Sequence, residues 1–425
     1  MSESMTHEQV AAAMKELEPQ LDKFARLLVV TGAALKHGQE LVVNAPVEGA
    51  AFVRRVVAAA YAEGAGHVTV IWNDEVISRL DYENVALEWF QHTPAWKKEQ
   101  LNGLAEAGAA FLTLVGGDPM ALKGVDPAKP QAAVRARNLE CDVYRHGLDY
   151  GLNQWSIAGV PVPAWAHAVF PGLSEDEAVY RLWKAVLATS RADGDDPVAT
   201  WEEHNANFQH NRKILNDYHF DALHYTSSNG TDLTLGMNDK HIWGGGSHHL
   251  QNGHEFMPNI PTEEVFTTPD RLRAEGVVHS AMPLVHQGAI VDNFWLRFKD
   301  GEVVDFGAEQ GAEVLEHILS MDEGAKRLGE CALISKNSPI RETGLLFYDT
   351  LYDENASCHL ALGRGFADCY EGAEQMDKDE QVEHGVNFSL THVDFMVGAD
   401  DLCITGIKAD GEEVPVFVNG AWAWE

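Results

Sequence analysis

The sequence predicts an α/β N-terminal domain with a mostly parallel sheet, followed by an α+β C-terminal domain. Three observations carry this reading. Short continuous apolar runs alternate with helical periodicity through the first half, a polar and charged stretch interrupts the chain at Arg191 to Pro197, and short alternating strands with glycine-rich turns follow. At 425 residues the chain exceeds what one hydrophobic core usually fills, so two domains, 1–195 and 196–425, are expected.

The elements follow in order. Leu17, Leu21, Phe24 and Leu28 mark one face of an amphipathic helix. Leu41 to Val43 reads as a buried strand, Phe52 to Tyr61 as a helix and Val68 to Trp72 as the next strand. A helix around Trp96 to Ala107 leads into a strand at Phe111 to Val115, and this alternation favours a parallel, doubly wound sheet. The strand ends in Gly116-Gly117 without GxGxxG spacing, so a tight turn is the reading there rather than a dinucleotide site. Glu175 to Ala188 and Trp201 to His219 read as helices on either side of the boundary. Later, Phe294 to Phe306 is a hairpin with Asp300-Gly301 at its turn, Ala312 to Leu319 is a helix and Glu330 to Ile334 is a strand.

Charge excludes some partners. Against 31 Lys and Arg stand 65 Asp and Glu, a net charge of −34, which repels nucleic acid and anionic lipid and attracts cations. The first residues lack the basic start and apolar run of a signal peptide, and no stretch is long and apolar enough to span a bilayer. The five cysteines show no CxxC spacing, as expected of a reduced cytoplasmic protein without a thiolate metal site.

The chemistry starts from NFSLTHVDFMVG, 387–398. Within a strand, His392 and Asp394 share one face while Val393 and Phe395 take the other. Taken alone the pair reads either as two metal ligands or as a carboxylate holding a buried imidazole. Glu263-Glu264 after Pro261, Glu330 after Gly329, and His359 at the head of an apolar run are equally open to structural readings. The histidines at 241, 248, 249 and 254 read as a polar loop near the site rather than as a metal site of their own, and Trp243, Trp422 and Trp424 as packing or interface residues.

Taken together, NIPTEEVFTTP, LGECALI, NSPIRETGLLFYDTLYDENASCHLALG and THVDFMVG resemble the signature blocks of the thermophilic-type metalloaminopeptidases, in order and in spacing across 259–400. The resemblance implies metal ligands at Glu264, Glu330, His359, His392 and Asp394, with Glu330 or Asp394 bridging two divalent ions, Zn, Co or Mn. It implies that Glu264 is either a ligand or the catalytic base, with Glu263 behind it, and implies peptide substrates with a free N-terminus and a homodimer; Tyr348 is expected as a catalytic hydroxyl. One position departs from the family pattern: seven residues after the histidine of HLALG, where the family commonly carries a tyrosine, this chain has Phe366. Either Tyr348, Tyr352 or Tyr370 would then supply a hydroxyl, or polarisation by the metal alone would serve. The competing expectations are a bimetallic hydrolase of a non-peptide amide or ester, and a metal-binding protein without turnover.

Overall fold

A computed structural model describes residues 4–286 and 288–425. The chain divides into two compact units. The first runs through Asn205 and takes in Ser247–Thr262 and Leu346–Asp349. The second comprises Ala206–Gly246, Glu263–Leu345 and Thr350–Glu425. The division falls inside the helix Pro197–Tyr218, a few residues past the loop where the sequence changes texture.

In the first unit, strands β1 (Glu40–Pro46), β2 (His67–Asn73), β3 (Ala110–Val115), β4 (Trp155–Gly159) and β5 (Asn259–Ile260) form a wholly parallel sheet in the order β2-β1-β3-β4-β5. The apolar run Leu41-Val42-Val43 is fully buried, as a central strand covered on both faces requires. The first helix, His7–Leu27, is fixed by a capping box between Thr6 and Gln9 and buries Leu21 and Phe24. Leu28, expected within that helix, instead opens a five-residue π-helical turn, Leu28–Gly32.

In the second unit, nine described strands form an antiparallel sheet. Its expected hairpin is present: Ala289–Lys299 pairs with Glu302–Gln310 through Asp300 and Gly301, both at positive φ (52° and 75°), the turn that suits the right-handed strand twist. A separate four-stranded antiparallel sheet carries β6 (Val265–Thr267), β7 (Leu328–Leu333), β8 (His359–Gly363) and β9 (His392–Met396) in that order. One core joins the two sheets. Cys331, Leu333, Leu360, Leu362, Val393 and Phe395 meet Leu223, Tyr225, Leu233 and Leu235 there, and Phe395 lies 5.7 Å from Phe294, ring to ring. Burial of such side chains contributes roughly 1.5–3 kcal/mol each and fixes which face of the small sheet turns away from the core.

Candidate metal centre

With Cys331, Leu360, Val393 and Phe395 committed to the core, alternation sends their neighbours to the opposite face. Glu330 pairs across to Ala361, and Ala361 to Asp394. Ala332 lies opposite His359, and Gly363 opposite His392. Acidic and imidazole side chains thus stand over a floor of Ala332, Ala361 and Gly363, too small to fill the space above them. Gly363 is required on a second ground, because a Cβ there would sit 2.2 Å from the Thr391 carbonyl oxygen.

All five residues that the resemblance marks as ligands meet on this face. They form two groups, Glu264 with Glu330 and His359, and Glu330 with His392 and Asp394, so that Glu330 is common to both. His359 Nε2 lies 3.4 Å from Glu264, and His392 Nε2 lies 3.2 Å from Glu330 and 3.0 Å from Asp394. Both rings turn Nδ1 to the backbone. His392 Nδ1 donates to the Arg364 carbonyl at 2.7 Å and His359 Nδ1 reaches the Ser357 carbonyl at 3.4 Å. That arrangement leaves each Nε2 unprotonated when the ring is neutral and aimed at the carboxylates, the tautomer a metal ligand needs.

The electrostatics are those of an acid-rich site without enough positive charge. Burial, then the neighbouring Glu330 carboxylate, pushes Glu264 up to about 8. Burial opposes a proton on His392, but Asp394 and Glu330 outweigh it and raise the ring to about 11. His359 is raised in the same way, its burial overcome by Glu330, Glu264 and Asp394. Burial works against the Asp394 charge too, yet contact with His392 lowers its carboxyl below the usual range. Asp394 Oδ1 is buried and makes no hydrogen bond of acceptable geometry among the described residues, despite its close approach to His392. A buried carboxylate oxygen left so is costly unless a cation completes it.

Sequence reasoning missed one residue of the cluster. Glu354, in the turn Glu354–Ala356 just before β8, is held well above the usual carboxyl range by burial, then by Asp394, Glu264 and Glu330. Its position five residues ahead of His359 was the available signal, but Asp349 and Asp353 in the same polar stretch look equivalent. Glu263 is half-buried and its N–H donates to Asn355 Oδ1 at 2.7 Å. Tyr348 lies on Leu346–Asp349, a segment of the first unit, with φ of 57°. Of the other tyrosines, Tyr352 is fully buried and Tyr370 donates its hydroxyl to Asp239 at 3.1 Å. The histidines at 241, 248, 249 and 254 form no three-residue metal group among the described residues. His241 is instead buried against the ring of His219, 4.3 Å away, and burial pulls it down to about 4. Trp243 is fully buried.

Three ligand-type carboxylates crowded into one buried cluster with two oriented imidazoles fit divalent metal with mixed oxygen and nitrogen coordination, and define a metal-dependent protein. The comparisons give the family. The chain belongs to the thermophilic metalloprotease (M29) family, whose pattern matches residues 17–422. It is 42% identical to aminopeptidase AmpS of Bacillus subtilis, over 97% of this chain and 100% of that protein. It is also 42% identical to aminopeptidase T of Thermus aquaticus, over 95% and 98%. The solved structure of AmpT from Thermus thermophilus superimposes with a TM-score of 0.89 at 39% identity, covering 96% of this chain and 100% of that one.

Proposed function

We propose that this protein is a metal-dependent aminopeptidase that hydrolyses the bond after the N-terminal residue of a peptide. The observation that carries the reading is the pair of three-residue groups sharing Glu330. Glu330, common to both groups, would be shared between two divalent ions, Zn, Co or Mn, with Glu264 and His359 holding one and His392 and Asp394 the other. The three carboxylates of these groups, with two neutral imidazoles, give −3, a charge that divalent cations offset. Such ions supply an activated water and polarise the scissile carbonyl.

The remaining chemistry falls to the chain itself. Glu264 belongs to the ligand set, and of the carboxyls outside it, Glu263 and Glu354, the one that interacts with Asp394, Glu264 and Glu330, Glu354, is assigned to take the water proton and return it to the leaving amine, a step an amide nitrogen needs before it departs. The concentration of negative charge favours a substrate with a cationic amine next to the scissile bond, which supports exopeptidase action and a peptide with a free N-terminus.

Among the described residues no helix is long and apolar enough to cross a membrane, and four of the five cysteines are buried free thiols. A cytoplasmic setting accords with the free thiols. A homodimer accords with the helix Glu75–Asn84 of the first unit, which buries none of its residues and exposes Val76, Ile77 and Leu80.

The test is metal content together with release of nitroaniline from aminoacyl-p-nitroanilides, before and after chelation. Two ions per chain and chelator-sensitive, metal-restored release are expected. Activity that survives metal removal would exclude the reading, and turnover of esters or non-peptide amides alone would transfer it to the non-peptide hydrolase.

A further inference from the structure

An aromatic wall stands at one side of this centre, and neither the ligand set nor the proton shuttle uses it. Phe266 follows Val265, which is committed to the core, so alternation along β6 turns its ring to the metal-binding face, opposite Ala332. Phe366 meets that ring edge-on at 5.5 Å and lies 5.1 Å from the imidazole of the ligand His392. Both phenylalanines are only half-buried.

The turn bearing Phe366 is braced on every side. Its N–H donates to Thr268 Oγ1 at 2.8 Å, and the Thr268 hydroxyl donates to its carbonyl at 3.1 Å. The two preceding N–H groups donate to Thr391 and Asn387 carbonyls, each at 2.8 Å, and the Arg364 carbonyl holds His392. Phe266 has a matching device: a Cβ at Gly244 would stand 3.2 Å from the tip of its ring, so glycine there leaves the ring its place. Rings held this firmly while half in solvent form a preorganised apolar surface, able to receive a side chain with little ordering cost.

Resting on the aminopeptidase reading above, we infer that Phe266 and Phe366 form the wall that receives the side chain of the substrate's N-terminal residue, and that they select leucine- and phenylalanine-like side chains over small or charged ones. Position argues for that residue. Its carbonyl must sit among the ligands, its side chain is one atom further along the chain, and Phe366 touches a ligand directly. Chemistry argues for the class, because the rings offer no polar atom to satisfy a charged or hydroxyl-bearing side chain.

The test compares alanyl-, lysyl-, leucyl- and phenylalanyl-p-nitroanilides on the metal-loaded protein, with calorimetric binding of leucinol and alaninol, which have no scissile bond. Leucyl and phenylalanyl substrates should exceed alanyl by roughly tenfold or more in kcat/KM, with the preference in KM, and leucinol should outbind alaninol. Phe366→Ala and Phe266→Ala should each shrink these ratios at least about fivefold, while Phe366→Leu, which keeps apolar bulk, should retain most of the preference. A fall shared equally by all substrates would show that the rings only hold His392 in place, and would overturn the inference, as would unchanged ratios or equal binding of the two amino alcohols. If no aminoacyl substrate is turned over but the leucinol preference is present and vanishes in Phe366→Ala, the peptidase reading falls and the wall stands.

Discussion

Replacing Glu330 with glutamine separates ligation from folding. The residue is nearly fully buried and common to both halves of the cluster, so the isosteric amide removes one charge and almost no volume. Truncating one partner of a buried ion pair usually costs about 3–5 kcal/mol because the other charge is stranded. Here His392 keeps Asp394 at 3.0 Å, and Glu264, whose carboxyl is held at about 8 partly by Glu330 itself, is released to ionise in its place. The metal-free variant should therefore unfold within about 1–2 kcal/mol of the parent protein, a few degrees in melting temperature. The effect of metal should differ sharply. At a free-ion concentration one hundred times its dissociation constant, a bound ion stabilises the native state by about 2.7 kcal/mol, roughly 5–10 °C for a unit of this size. Glu330→Gln should lose that rise together with activity. Differential scanning calorimetry with and without Zn, Co or Mn measures both quantities. A full metal-dependent rise in Glu330→Gln would refute the shared-ligand geometry, and a loss of several kcal/mol in the metal-free variant would refute the compensation by Glu264.

Other expectations follow from the same geometry. Glu354→Gln should keep the metal-dependent rise in melting temperature but lose about 10²–10⁴-fold in kcat, which a paired calorimetric and kinetic measurement checks. Metal binding should release protons, because Glu264 is neutral in the metal-free protein up to about pH 8 and His392 is charged up to about pH 11, whereas both must be deprotonated to ligate. Calorimetry at pH 7 in buffers of different ionisation enthalpy should show at least two protons released, from Glu264 and His392, with His359, whose ring is also raised, adding to them, and affinity should climb with pH. In the metal-free protein the sign reverses. The Glu264 carboxyl is raised above its ordinary 4.5, so its contribution to stability is complete below that pH and is lost as pH rises through about 8. Gly245→Ala should weaken metal affinity by roughly 10–100-fold, read by titration of the apoprotein, because a Cβ at this φ of 124° would stand 2.4 Å from the Glu264 carbonyl oxygen.

Much of this was legible in the sequence wherever a single period decided the outcome. The apolar runs at Leu41 and Phe111 gave the parallel strands because a strand covered on both faces needs no alternation, and THVDFMVG gave the face that His392 and Asp394 share because one period of two sorts them from Val393 and Phe395. Legibility ended where distant segments decide. Nothing local in Ser247–Thr262 or Leu346–Asp349 shows that these stretches pack with the first unit, since that depends on contacts far away in the chain. Glu354 was hidden for a related reason. Among the acids of YDTLYDENAS no periodicity singles it out, and only its approach to Asp394, Glu264 and Glu330 does so.

The imidazoles carry this reasoning one step further. Ligand residues can be read as letters, but a histidine binds a cation only if the correct nitrogen is bare, and here backbone carbonyls decide that. Ser357 and Arg364 act through their carbonyl oxygens, so their side chains leave no mark of the role. The positions of those carbonyls depend in turn on the bracing of 364–366 by Thr268, Asn387 and Thr391. The same turn that sets the His392 tautomer therefore also sets the Phe366 ring. If His392 ligates and the Phe366 ring receives the substrate side chain, both roles rest on one braced segment, so a backbone change there should disturb both at once, whereas truncating the ring should disturb only selection.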